Sequence, residues 1–183
     1  MAGPVYAAAV ILPHDFPVDI LDDSKKLSAP AREKACPVIC SSSLAWGIGW
    51  ASAAEIDDIN IHKASLLAMK RAFYSMAANA AESPVGTPIS ITDIHAVADG
   101  LFTPDIPVPC EALVKADSLV PEVMAASILA KTARDRLMDY YGIFFPQYGF
   151  QKHKGYPTKA HREAILRFGP SPIQRMSFRV KGF

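Results

Sequence analysis

Two aspartates open the case for chemistry. Asp99 stands at the end of an apolar run, Ile91–Ala98, directly before Gly100. A carboxylate at the carboxyl end of a strand, followed by a flexible residue, is a common place for a metal ligand in open α/β sheets. Asp-Gly is equally a frequent turn pair. Asp117 comes later, in Val-Lys-Ala-Asp-Ser, ahead of a long helical stretch, where it could cap the helix start or ligate a metal. Phosphodiester hydrolysis needs hard oxygen ligands that hold two Mg²⁺ or Mn²⁺ ions about 3.5–4 Å apart, one to activate water and one to steady the leaving oxygen. Spacing alone does not make two aspartates converge.

The basic residues add to this. Lys25-Lys26 follow a serine in a loop, Lys131, Arg134 and Arg136 fall on the long helix, and Lys152, His153 and Lys154 precede Gly155 and Tyr156. His161, Arg162, Arg167, Arg175, Arg179 and Lys181 complete a basic C-terminal third. Basic side chains interleaved with glycine and aromatic residues suit phosphate contacts plus ring stacking on a sugar or base. A solvated charged face would have the same composition. Asp135, beside Arg134, reads as a helix-surface ion-pair residue.

The elements that would position these residues follow from periodicity. Val5–Leu12 is short and nearly all apolar, which predicts a strand buried on both faces. Ser28 is a predicted N-cap for a helix over Ala29–Ile39, with Pro30 in its first turn and Pro37 ending it early. Leu44–Ser52 reads as a strand. Ile61–Ala81 is a predicted helix burying Ala64, Leu67, Ala68, Ala72 and Met76. Ser83–Thr87 is a connector, Ile91–Ala98 a strand and Val108–Ala116 another strand or extended segment. Glu122–Tyr141 is a long helix with Ala125, Ile128, Leu129, Leu137 and Met138 inward, and Lys159–Phe168 a helix in the C-terminal part. Strands and helices intermix, so the predicted class is α/β.

Composition bounds the rest. The 183 residues suit one domain, and 50% hydrophobic with 20% charged residues is globular. A net charge of +1 does not announce a nucleic-acid partner, so any basic surface must come from local clustering. Cys36, Cys40 and Cys110 form no zinc-type pair and read as reduced thiols of an intracellular protein. No signal peptide and no bilayer-length apolar run stand out, so a soluble, cytoplasmic, monomeric protein is expected.

At this point the sequence resembles ribonuclease HII over nearly its whole length. Ala2–Leu12 resembles the segment after that family's catalytic glycine-rich motif, and Asp23–Ser28 its Asp-Ser-Lys-x-Leu-Ser loop. Gly47–Ser52 with Glu55, Ile56, Asp57 and Ile59–Ile61 resembles its GIGWAS, EID and INI run, Asp99-Gly100 its Asp-Gly, and Lys115–Ser118 its Lys-Gly-Asp-Ser with Ala116 for glycine. Ala125–Lys131 with Arg134, Asp135 and Met138 resembles its signature helix. Tyr148–Phe150, His153–Tyr156, Thr158 and His161 resemble its substrate-binding C-terminal part, and Gly169–Pro172 with Arg175, Ser177 and Phe178 its tail, with Gln174 where histidine is usual.

The resemblance implies an RNase H-like fold, a mixed five-stranded sheet flanked by helices with a helical C-terminal part. It implies an endonuclease that cuts the RNA strand of RNA–DNA hybrids and cuts DNA at embedded ribonucleotides, using two Mn²⁺ or Mg²⁺ ions. It implies Asp99 and Asp117 as metal ligands and Tyr156 as the ring stacked against the sugar at the RNA–DNA junction. Lys25, Lys131, Lys154 and Arg175 are candidate phosphate contacts.

The family's first two carboxylates, in an Asp-Glu-Ala-Gly-Arg-Gly stretch, and its first central strand are expected upstream of Met1. The expected reading of 1–183 is therefore one N-terminally truncated domain, with a start codon assigned too late. Taken as written, the chain is expected to be unstable and close to inactive, because losing a central strand exposes backbone groups and apolar surface. Two rivals follow: a catalytically silent hybrid-binding fragment, and another nuclease or nucleotidyl transferase of the same fold.

Overall fold

Helices begin where the sequence offers caps. In the computed structural model, which describes residues 1–81 and 89–179, the Ser28 hydroxyl accepts the Ala31 N–H at 3.3 Å and α1 follows as Ala29–Ser42. Pro37 does not end this helix, against expectation. Its missing N–H costs one helical bond, but Cys36 and Ile39 are buried with Phe16, Ala125, Ile128 and Leu129, and that packing keeps the backbone helical.

Helix α2, Ala53–Ala81, starts well before the expected Ile61. Ser52 and Glu55 form a reciprocal cap: the Glu55 N–H donates to the Ser52 hydroxyl at 3.1 Å, and the Ser52 N–H to the Glu55 carboxylate at 2.8 Å. Asn60 interrupts the helix with φ 68°, and its side-chain oxygen accepts from the Lys63 N–H at 3.1 Å. The residue that breaks the helix thus caps its continuation, and the expected start at Ile61 is the start of that second segment. Ala64, Ala68, Ala72 and Met76 are buried, as their spacing predicted.

The strands are shorter than the apolar runs that suggested them. They are β1 Val5–Ile11, β2 Ala45–Ala51, β3 Ala96–Asp99 and β4 Cys110–Leu113. β3 and β4 run parallel, with Ala96 opposite Cys110 and Asp99 opposite Leu113. Residues Ile91–Asp93, expected in the third strand, form a 3₁₀ turn in which the Asp93 N–H donates to the Ser90 carbonyl at 3.1 Å and the Ile94 N–H to the Ile91 carbonyl at 3.3 Å, a local alternative to the ladder. The expected connector Ser83–Thr87 lies outside the described residues. Instead of one five-stranded sheet, the described residues form two two-stranded sheets, β1–β2 and β3–β4. β1 is half-buried along its length rather than buried on both faces, because β2 is its one strand neighbour.

The chain divides into two compact units. The first comprises Met1–Val5, Ala51–Ala64 and Ala133–Phe183. Ala2, Met138, Tyr148, Phe150 and Ala164 form its core. It holds the last turns of α3 (Pro121–Phe144), the single turn α4 (Phe150–His153) and α5 (Lys159–Phe168), whose bounds match the expected ones. The second comprises Tyr6–Trp50 and Ser65–Thr132. There β2 lies directly on α2: a Cβ at Gly49 would fall 2.2 Å from the Ala68 carbonyl oxygen, and one at Gly47 would fall 2.1 Å from the Met76 nitrogen. Strand backbone therefore meets helix backbone, and only glycine fits. Gly49→Ala is expected to lower stability by about 1–3 kcal/mol in urea unfolding through overpacking; an unchanged midpoint would show the seam to be looser than described.

Candidate metal centre and nucleic-acid contacts

Asp99 is the last residue of β3, held in register opposite Leu113. The next N–H, from Gly100 at φ 131°, still donates to the Leu113 carbonyl at 3.1 Å. The Asp99 carboxylate accepts the Ala116 N–H at 3.0 Å, so the strand end and the turn after β4 are tied together. That turn, Ala116–Ser118, is a 3₁₀ element entered through Lys115 in the left-handed region at φ 61°. It delivers Asp117, which is buried. Asp117 bonds the Lys25 ammonium at 2.8 Å, from a lysine side chain that is otherwise 73% exposed.

Sequence reasoning placed Lys25 in a loop, and the structure shows what holds that loop. The Ser24 hydroxyl meets the Ser127 hydroxyl of α3 at 2.6 Å, and the buried Arg32 donates from Nη1 to the carbonyls of Ser24 and Leu27 at 2.9 and 2.6 Å. The Lys25 N–H is received by the Asp23 carboxylate at 2.9 Å. Its bond to Asp117, with the nearby charges of Asp117, Asp23 and Asp99, raises the Lys25 ammonium above the ordinary lysine value, although partial burial works the other way. The electrostatics thus bring Lys25, Asp99 and Asp117 together. Lys131 lies one helical turn beyond Ser127 and is half-buried.

Asp99 and Asp117 also line an apolar cavity of about 620 Å³. Its walls are six successive residues of β1, Tyr6–Ile11, the run Ile94–Asp99 through β3, and Val123, Ala126 and Ala130 of α3.

Tyr156, Lys154 and Arg175 belong to the other unit. Lys154 and Gly155 both have positive φ, and a Cβ at Gly155 would fall 2.4 Å from the Ala2 carbonyl oxygen, so glycine is required there. Tyr156 follows this turn with its side chain half-exposed. The Lys154 ammonium pairs with Asp139. Arg175 is buried, and its Nε and Nη2 donate to the carbonyls of Gly3 and Pro4 at 2.8 and 3.2 Å. Burial, with the neighbouring Arg134 charge, brings its guanidinium down to about 10.

The basic C-terminal third is smaller than its composition suggested. His153 and His161 are buried rather than surface cations: burial lowers both, His161 to about 4. Arg134 donates from Nε to the Pro4 carbonyl at 3.1 Å. Asp57, part of an apparently functional motif, receives the N–H groups of Met176 and Ser177 at 2.8 Å each and fastens the tail. Arg32 was missed, though its spacing with Cys36 and Ile39 puts it on the apolar stripe of α1.

The family model for ribonuclease HII matches residues 1–181. The ribonuclease HII of Treponema denticola is 51% identical over 184 residues, which is 99% of this chain and 93% of that protein. The crystal structure of ribonuclease H2 from Pyrococcus horikoshii OT3 superposes with a TM-score of 0.68 at 20% identity, covering 98% of this chain and 88% of that one. The crystal structure of Bst-RNase HIII in complex with Mn²⁺ gives 0.64 at 18% identity, covering 92% and 58%. The two structural likenesses establish the α/β, RNase H-like fold.

The buried histidines give a pH dependence of definite sign. His161 stays neutral in the fold well below its unfolded value, so the unfolded chain binds the extra proton first. Stability is then full above about pH 6.5 and falls as pH drops toward about 4. Urea unfolding is expected to show a loss on the order of 2 kcal/mol between pH 7 and 5 from this residue, and a flatter acid limb in His161→Asn. An acid limb of the same depth in that variant would assign the effect elsewhere.

Proposed function

The chain belongs to the ribonuclease HII family, and we propose that it acts as a monomeric endonuclease, hydrolysing the RNA strand of RNA–DNA hybrids and cutting DNA at embedded ribonucleotides. The observation that carries this reading is the arrangement at the end of β3. There Asp99 is fixed by the Ala116 N–H, and the buried Asp117 is answered by the ammonium of an otherwise exposed lysine. A buried carboxylate calls for a cation, and a lysine whose side chain is 73% exposed is one that a metal ion can displace.

The donor set suits Mn²⁺ or Mg²⁺, since Mg²⁺ is commonly held by one or two carboxylates together with water and substrate phosphate. Asp99 and Asp117 would hold it. Once bound, a divalent ion supplies Lewis acidity to the phosphodiester and lowers the pKa of a bound water. Among the described residues no cluster of three His, Cys, Asp or Glu groups is present. Water and substrate phosphate would complete the coordination, beside the cavity that both aspartates line.

The chain's own residues divide the remaining work. Lys25, released from Asp117, and Lys131, near the Ser24–Ser127 anchor, are the phosphate contacts best placed near the carboxylates. Tyr156 offers its half-exposed ring to the sugar at the RNA–DNA junction. Lys154 and Arg175, expected on phosphates as well, have Asp139 and the Gly3 and Pro4 carbonyls as partners here, and they shape the surface around Tyr156.

Mn²⁺ titration followed by water-proton relaxation tests the site without needing turnover. Asp117→Asn and Asp99→Asn are each expected to weaken Mn²⁺ binding at least about tenfold. Cleavage of an RNA–DNA hybrid in Mn²⁺ is expected to depend on both aspartates and to be lost when Asp99→Asn and Asp117→Asn are combined. Undiminished cleavage by the doubly substituted chain would sink the assignment, and salt-sensitive hybrid binding without cleavage would point to a silent binding module.

A further inference from the structure

Tyr156 is a surface aromatic, and a surface ring normally samples several rotamers. Here its surroundings are unusually constrained. The Arg134 guanidinium lies 5.4 Å from the ring centroid. Arg134 is itself pinned, with Nε on the Pro4 carbonyl at 3.1 Å and Nη2 on the Ala2 carbonyl at 3.4 Å. The guanidinium lies over the ring, and the residue as a whole remains 53% exposed.

The backbone beneath the ring is held by a chain of bonds whose protonation can be worked out. The Gly155 N–H can only donate, so His153 Nδ1, at 3.2 Å, carries a lone pair. His153 Nε2 then carries the hydrogen and donates to the Tyr148 carbonyl at 2.7 Å. The Tyr156 carbonyl can only accept, so His161 Nδ1, at 2.9 Å, carries a hydrogen. The two imidazoles stack at 4.4 Å and 10°, and each meets Phe150 edge-on, His153 at 5.8 Å and His161 at 5.5 Å. His161 is fully buried, and its Nε2 has no hydrogen-bond partner among the described residues. A buried orphan nitrogen is costly, yet an apolar residue of similar size would fill the same space without it. What imidazole adds here is the Nδ1–H on Tyr156.

We propose that His161 and Arg134 are positioning residues for Tyr156: His161 fixes the backbone that carries the ring, and Arg134 fixes the ring plane, so that the exposed side chain meets a sugar without rotamer search. The inference rests on the reading of Tyr156 as the sugar-stacking ring, and its consequence is selectivity for a ribonucleotide-bearing duplex over plain DNA.

The test uses the full chain labelled with ¹³C-ring tyrosine and ¹⁵N-histidine. His161 is expected to be protonated at Nδ1 in the wild type; protonation at Nε2 would remove the bond to Tyr156 and overturn the proposal whatever the variants do. His161→Leu and Arg134→Lys are expected to broaden or average the Tyr156 ring signals, while His161→Asn, which keeps a donor at the Nδ1 position, retains them. An unchanged ring in a folded His161→Leu would also overturn it.

Fluorescence anisotropy with a duplex carrying one ribonucleotide, against the all-DNA duplex, supplies the functional readout. His161→Leu should lower the preference about tenfold, on the scale of one lost stacking contact. The same change in a Tyr156→Ala background should lower it no further; an equal loss in both backgrounds would mean a merely structural role. A Tyr156→Ala chain with undiminished preference would instead sink the reading of Tyr156, leaving the ring signals to decide the positioning claim.

Discussion

A carboxylate shut away from water has to be answered by positive charge, and at Asp117 that requirement organises one whole unit. Its answer is Lys25, and Lys25 can serve because the loop around it is anchored, by Ser24 on Ser127 and by Arg32 on the carbonyls of Ser24 and Leu27. The second aspartate is reached through backbone. Asp99 receives the N–H of Ala116, the residue just before Asp117, so strand and turn cannot separate without losing a bond. One amide bond thus ties the elements of the two acids together, while a buried guanidinium and a serine pair hold the loop that brings Lys25 to Asp117. None of these supports carries chemistry itself.

The other unit uses charge differently. Two of its arginines face carbonyls: Arg134 holds Ala2 and Pro4, and Arg175 holds Gly3 and Pro4. His153 and His161 sit neutral and stacked, as polar struts between the Phe150 core and the turn bearing Tyr156. Residue types that read as a cationic surface are spent largely on fixing backbone.

This marks the limit of what the sequence made legible. The helices over Ala29 onward, Ile61–Ala81, Glu122 onward and Lys159–Phe168 were readable because caps and apolar spacing act locally, and so was Asp99 at a strand end. The early start of α2 was also in the sequence, in the Ser52-x-x-Glu55 cap, but the helix break at Asn60 hid it. Pro37 misled because tertiary burial of Cys36 and Ile39 outweighed a local rule. The Lys25–Asp117 bond and the Arg175 clamp were not legible: they join residues far apart in the chain, and whether a cation meets solvent, an acid or a carbonyl is decided by packing. The same holds for His153 and His161, whose charge state follows from burial rather than from residue type.

The guanidinium–carbonyl clamps have a consequence for behaviour in salt. They are charge–dipole contacts, and those of Arg175 are shielded from the ion atmosphere, so added electrolyte weakens them little. Nucleic-acid phosphates are released by the same electrolyte steeply, through the counterions they recapture. The surface around Tyr156 therefore keeps its form as ionic strength rises, and in its proposed role it would meet a fresh duplex after salt release without refolding any part of that surface.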